Sequence, residues 1–306
     1  MHPNHPNLTY FEPWVRFNHP IVRQLAFTIA SPNLILHFPT EIISHKTLSL
    51  HHNEDWQRYF FSYEARLKYL DRYPEELIQF LQQVKSTRLG LRFETLLWFW
   101  LQDKNNPYFE LLGHSIQHHK DGKTLGEMDF LIRNKVSQRI EHWEVCLKYY
   151  LAAADLHLAT WIGLNPEDTF THKLNHLAQY QFQFEHALGY TIDARYTVMK
   201  GQLYLPKTHQ SLPNWLNNAR RLGMWQEHIP AQKQKWRYLT RPEWLCPNKN
   251  TLNHQPIKWW NNGLYYAEHG SEFLMLRLVK PSFIYTKSHQ EYISTTFDYK
   301  QQRIVY

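Results

Sequence analysis

Residues 127–148, EMDFLIRNKVSQRIEHWEVCLK, include Asp129, Glu144 and Lys148 at strand spacing. The stretch predicts two strands joined by a loop over 135–138, with residues 134 and 139 flanking that loop. In this register Asp129 faces Glu144, and alternation puts Lys148 on the strand face of Glu144. Like charges that face each other destabilise a ladder, so the arrangement requires a compensating cation. A bound metal ion would supply one.

A third acid, Glu94, lies within the strong helical pattern of residues 88–104. It falls on the apolar side of the helical wheel, between Leu91 and Trp98, and burying an unpaired carboxylate is costly. Three converging carboxylates would form a hard oxygen site that suits Mg²⁺ or Mn²⁺. The alternative is that each acid faces solvent and that Glu144 and Lys148 form an exposed ion pair of little energetic weight.

The elements that must position these residues follow one another in a clear order. A helix over 88–104 is followed by strands over 108–117, 125–134 and 139–153, with a turn at Asp121-Gly122. A second helix is predicted over 167–188, with Asp168 or Thr169 as its N-cap, and a strand over 194–206. The fold class is therefore α/β (α+β). We expect one compact unit with a helical N-terminal region (1–85), a core (86–205) and a Trp-rich C-terminal extension with strands (206–306).

This order of elements, with its acids and lysine, resembles the PD-(D/E)XK, or restriction-endonuclease-like, nuclease superfamily. The positions that match its pattern are Glu94, Asp129, Glu144 and Lys148. The superfamily has its lysine two residues after the glutamate, where Cys146 stands here; Lys148 lies two residues later on the same face. The whole chain also resembles an uncharacterised bacterial family known only as a domain of unknown function, through its "HWE" strand and its "WRYLTRPEWL" stretch.

The resemblance implies a restriction-endonuclease-like core and a Mg²⁺- or Mn²⁺-dependent nuclease acting on DNA or RNA. Glu94, Asp129 and Glu144 would hold the metal, which would lower the pKa of the attacking water and neutralise phosphate charge. Asp129, Glu144 and Lys148 would be the catalytic residues, with Lys148 orienting the water. The expected nucleic-acid contacts are Arg133, Lys173 and Gln181. The alternative is a catalytically degenerate nucleic-acid-binding or assembly protein with the same fold.

Composition restricts the remaining possibilities. The net charge of +7 favours a polyanionic partner, and the 43% hydrophobic content argues against disorder. Two distant cysteines argue against a disulfide scaffold and against a cysteine zinc site. A glycine-rich phosphate loop is missing, so no nucleotide cofactor is expected. No signal peptide or membrane-spanning run is evident, and we expect a cytoplasmic protein without membrane partners; a homodimer is left open.

Two further patterns allow more than one interpretation. His114 and His118 would share a strand face, which is compatible with a zinc or nickel site, although 20 histidines make such coincidences frequent. Tyr149, Tyr150 and the Trp-rich tail could stack on bases or pack in the core, and aromatic side chains favour the core.

Overall fold

The computed structural model describes residues 10–44, 46–120, 122–230, 235–248, 257–267 and 272–277. The α-helices in these residues are α1 (Pro20–Ala30), α2 (Asn53–Arg72), α3 (Glu75–Gln82), α4 (Leu89–Gln102) and α5 (Phe170–His176). The strands of the core are β1 (Phe109–Lys120), β2 (Lys123–Asn134), β3 (Ile140–Leu151), β4 (His186–Ala187), β5 (Tyr190–Thr191) and β6 (Ala194–Leu205). Four more strands follow, β7 (Gly223–Gln226), β8 (Trp236–Tyr238), β9 (Gly263–Ala267) and β10 (Glu272–Leu276). None of the described helices is both long enough and apolar enough to cross a membrane.

The strands form a mixed eight-stranded sheet in the order β1-β2-β3-β6-β7-β10-β9-β8, and β4 pairs with β5 separately. β1, β2 and β3 form an antiparallel meander, whereas β6 lies parallel to β3 and β7 lies parallel to β6. The expected mixed α/β class is therefore confirmed. α4, β1, β2, β3, α5 and β6 follow one another in the predicted order.

Helices cover both faces of the central strands. α1 to α4 pack on one face, in a core that contains Trp143 of β3 and Val198 of β6. α5 packs on the other face, in a core that contains Met199 of β6 and Phe170 of the helix. Since neighbouring strand residues point to opposite faces, Val198 and Met199 fall into different cores. The strands that carry the acids thus lie between two helical layers.

The first helix of the predicted core was predicted closely, because α4 lies within the predicted span of 88–104. Pro74, which has no N–H to continue a helix, lies between α2 and α3. β1 and β2 extend further into the predicted turn than expected, and Gly122 there has a φ of 73°. In the C-terminal extension, for which strands are expected, β10 lies at Glu272–Leu276, while residues 278–306 lie outside the described part of the chain.

The prediction of a helix up to residue 188 was wrong. α5 ends at His176 and continues as a π-helical turn over Leu177–Gln181, after which β4 and β5 form a small hairpin. The guanidinium of Arg195 donates to the carbonyl oxygens of Phe182 and Phe184, at 3.2 and 2.8 Å. These contacts hold the carbonyls away from helical partners. Gly189, with a φ of 82°, then makes the turn between β4 and β5.

Candidate functional site

The regular pairing of β2 with β3 ends just before Asp129 and Glu144. It runs from Arg133 opposite Ile140 to Phe130 opposite Trp143, which is the register that the loop predicts. At the next position the Oδ2 atom of Asp129 accepts a hydrogen bond from the Val145 amide at 2.7 Å. A carboxylate therefore takes the place of a main-chain acceptor. The regular pairing stops at Asp129 and Glu144, which we call the acid pair.

Glu144 is completely buried and held at both carboxyl oxygens. His142 Nε2 lies 2.7 Å from Oε1, and the Gln181 side-chain amide donates to Oε2. Burial raises the pKa of Glu144 to about 8, and burial together with the Glu144 charge raises the pKa of Asp129 well above its usual range. Two adjacent buried carboxyls cannot both ionise cheaply, so the pair without a bound cation retains a proton at neutral pH.

Lys173 of α5 is the cation that acts on both acids. Its charge lowers the pKa of Asp129 and of Glu144 and so offsets part of the effect of burial. Its Nζ donates to Oε1 of Gln181 at 2.8 Å, and Gln181 in turn donates to Glu144. Thr169 caps α5, as predicted, by accepting from the His172 amide. The π-helical turn after α5 then brings Gln181 to the sheet, and such turns are frequent at functional sites.

Lys148 lies on the strand face predicted for it, but its ammonium is directed elsewhere. The Nζ atom donates to Oδ2 of Asp168 at 2.7 Å, and the Tyr150 hydroxyl donates to Oδ1 of Asp168 at 3.0 Å. Gly201 of β6 pairs with Lys148 and has a φ of 127°; a Cβ there would lie 1.9 Å from the Lys148 carbonyl oxygen. The close approach of β6 to β3 at this position requires glycine.

Glu94 approaches the acid pair from the opposite face of the sheet. Its Oε1 lies 2.9 Å from His114 Nε2, and the His114 ring stacks on Trp98 with centroids 4.3 Å apart. Its charge also raises the pKa of Asp129. His114 is thus the polar partner that Glu94 needs, because Glu94 lies on the apolar face of its helix. Within the described ranges, no group of three or more His, Cys, Asp or Glu side chains is arranged to hold a metal ion, so the three-carboxylate metal site stays a prediction.

The predicted nucleic-acid residues fall in two places. Lys173 and Gln181 lie beside the acid pair, whereas Arg133 lies at the far end of the paired part of β2. Arg133 donates to Glu110 at 2.7 Å and lies over the Tyr190 ring, 5.6 Å from its centroid. Its environment is that of an ordinary surface ion pair.

The two histidines of β1 contact different partners. Ser115, between them, has a φ of 50°. The His114 ring stacks on Trp98, and the His118 ring stacks on Phe184 with centroids 3.8 Å apart. The rings therefore do not converge on a shared ligand position.

Sequence reasoning missed His142 as part of the site. It is completely buried, its Nδ1 has no hydrogen-bond partner among the described residues, and burial lowers its pKa to about 3. A neutral His142 can donate from Nε2 to ionised Glu144 and so orient the carboxylate. The signal was available, because His142 lies two residues before Glu144 and alternation puts both on one face.

Comparison with known proteins identifies the family of the chain. It matched no curated protein and no solved structure. A family model described as "Domain of unknown function (DUF1853)" matches residues 23–281, which is most of the chain. The expected membership of an uncharacterised domain family is thereby confirmed, and this chain belongs to the DUF1853 family.

Proposed function

We propose that this chain is a Mg²⁺- or Mn²⁺-dependent nuclease with a restriction-endonuclease-like core, which hydrolyses phosphodiester bonds of DNA or RNA. The observation that carries the proposal is the acid pair itself. Asp129 and Glu144 lie together at the end of an opened ladder, and burial raises the pKa of both carboxyls. Such a pair opposes folding by its like charges, and a divalent cation would relieve that repulsion.

The donor set suits a Mg²⁺ ion that is completed by its substrate. Mg²⁺ in phosphoryl-transfer sites commonly takes one or two protein carboxylates, with water and phosphate oxygens filling the other positions. Asp129 and Glu144 would be the two carboxylates. Glu94, whose side chain is 21% exposed, would become a third metal ligand from the other face of the sheet after breaking its contact with His114. A bound cation would supply charge neutralisation at the phosphate and a lower pKa for the attacking water.

Protein groups already hold the two carboxylates in place. The Val145 amide fixes Asp129, while His142 and Gln181 fix Glu144. Preorganisation of this kind keeps the charges where the transition state needs them. For the basic role we favour Lys173 over Lys148, because Lys173 acts on both acids and Lys148 is paired with Asp168. Lys173 would stabilise the negative charge that develops on the phosphate.

One observation favours the alternative of a degenerate nucleic-acid-binding or assembly protein. Both oxygens of Glu144 are already occupied, by His142 and Gln181. A site that has lost its metal would keep such internal contacts. Such a protein, with its net charge of +7, would bind nucleic acid and would not cut it.

Cleavage assays with Mn²⁺ separate the two functions. Single-stranded and double-stranded DNA and RNA would be incubated with the wild type, with Asp129→Asn and with Glu75→Gln. Asparagine keeps an oxygen for the Val145 amide and removes the charge. Glu75 is an exposed acid at the start of α3 and serves as the matched control. Cleavage that is lost in Asp129→Asn and kept in Glu75→Gln supports the nuclease. Absence of cleavage by a folded wild type that also fails to bind Mn²⁺ would select the alternative.

A further inference from the structure

An exposed aromatic pair lies next to the buried Glu144. The His176 and Tyr180 rings have centroids 5.6 Å apart at an interplanar angle of 36°. His176 Nδ1 lies 3.3 Å from Oε1 of Gln181, the residue whose amide donates to Glu144. Tyr180 is 60% exposed. Two rings at the surface are therefore connected through one side chain to the acid pair.

Two further histidine–aromatic stacks adjoin the acids. The Trp98–His114 stack has an interplanar angle of 16°, and His114 bonds Glu94. The His118–Phe184 stack has an angle of 13°, and Phe184 lies two residues after Phe182, whose ring lies 4.9 Å from the His142 ring between centroids. His114 thus contacts an acid directly, and His176 contacts Gln181, which donates to Glu144.

The acid pair lies below the protein surface. The Glu144 side chain has no exposed surface, and Asp129 is partly buried. To reach these carboxylates, a phosphate group must enter the protein below its surface. The backbone of a duplex is held on the outside of a stiff helix, whereas an unpaired strand can bend into a recess. Its bases are also free to stack on aromatic rings, and this contact tolerates any base.

We infer that the acid pair acts on an unpaired nucleic-acid strand, of DNA or RNA, with Tyr180 as a stacking platform for a base beside the scissile phosphate. This inference rests on the proposed nuclease function and specifies its substrate class. Lys173 would attract the backbone phosphates on the side of the sheet that α5 covers. Stacking by Tyr180 would then fix the position of the strand.

Anisotropy titrations in EDTA test binding without cleavage. Labelled single strands of DNA and of RNA, and a duplex of equal length, would be titrated with the wild type, Tyr180→Ala and Tyr73→Ala. Tyr73 is a close control, because it is 57% exposed and its ring pairs with Tyr69 at 5.2 Å. We expect the wild type to bind the single strands more tightly than the duplex. Tyr180→Ala should weaken single-strand binding about fivefold or more, while Tyr73→Ala leaves it unchanged.

The outcomes distinguish this inference from the proposed function. Equal binding by Tyr180→Ala and Tyr73→Ala would overturn the platform. Cleavage of the duplex with Mn²⁺ at least as fast as of the single strands, lost in Asp129→Asn, would leave the nuclease standing and refute the preference for unpaired strands. A wild type that neither binds nor cuts any nucleic acid would remove the proposed function and the inference together.

Discussion

Lys148 donates from Nζ to the Oδ2 atom of Asp168 at 2.7 Å, although Lys148 shares a strand face with Glu144. Asp168 also accepts from the Tyr150 hydroxyl, so its carboxylate is held from two sides. The charge of Lys148 is therefore compensated by Asp168 and not by the acid pair. Lys173 is left as the cation that acts on Asp129 and Glu144.

The two lysines should consequently differ in their importance for cleavage. Lys173→Ala is expected to lower the single-turnover rate with Mn²⁺ by about 100-fold, the range found when one preorganised stabilising group is removed. Lys148→Ala should lower it far less, because its loss removes only the ion pair with Asp168, which keeps its hydrogen bond from Tyr150. Lys173→Arg would retain the charge and part of the activity. A larger defect in Lys148→Ala than in Lys173→Ala, with both variants folded, would return the basic role to Lys148.

The raised pKa of Glu144 predicts how stability changes with pH in EDTA. The folded carboxyl binds its proton up to about pH 8, whereas the unfolded one releases it near its ordinary value of about 4.3. The stability that this group contributes is thus complete below pH 4 and is lost as pH rises to about 8. Glu144→Gln should remove the loss, which amounts to at most about 1.4 kcal/mol per pH unit.

Denaturant titrations between pH 5 and 8 would measure this effect. We expect the stability of the wild type to decline more steeply with pH than that of Glu144→Gln. Glu75→Gln serves as the control and should follow the wild type. Parallel curves for the wild type and Glu144→Gln would mean that Glu144 is ionised in the folded protein throughout that range.

Lys200 predicts the opposite pH dependence. It is completely buried on β6; its Nζ lies 3.3 Å from the centroid of the Trp56 ring and donates to the Ser31 carbonyl. Burial, and then the charge of Arg220, lower the pKa of Lys200 well below its ordinary value. The unfolded state therefore binds the extra proton up to about pH 10.4, and stability rises with pH towards that value.

Lys200→Met should abolish the contribution of Lys200. The difference in unfolding free energy between the wild type and Lys200→Met should grow in favour of the wild type from pH 7 to pH 10. The slope has an upper limit of about 1.4 kcal/mol per pH unit. Lys135→Met, on the exposed loop between β2 and β3, is the control and should show no such trend. A constant difference for Lys200→Met would show that the buried lysine stays charged.

The parts of the site that depend on residues close together in the sequence could be predicted from turn, strand and helix-cap patterns. The loop after Asn134 fixes the register of β2 on β3, and strand alternation then puts Asp129 and Glu144 together. The same alternation separates Val198 from Met199. The N-cap at Thr169 also follows from residue type alone.

The remaining parts depend on contacts between distant segments. The π-helical turn that delivers Gln181 to Glu144 has no sequence signature, and the predicted helix simply continued through it. Lys148 lies twenty residues from Asp168, and a loop conformation decides that they meet. The bonding of Glu94 to His114 likewise requires α4 and β1 to pack as they do.

Binding of Mn²⁺ to the acid pair tests the central claim most directly. Titration calorimetry would be carried out on metal-free wild type, Asp129→Asn and Glu75→Gln at pH 8, close to the raised pKa of Glu144. We predict that the wild type and Glu75→Gln bind Mn²⁺ with the same affinity and that Asp129→Asn binds at least about tenfold more weakly, as loss of one charged ligand implies. Equal binding by Asp129→Asn and wild type, or no binding by a folded wild type, would contradict a metal site at Asp129 and Glu144.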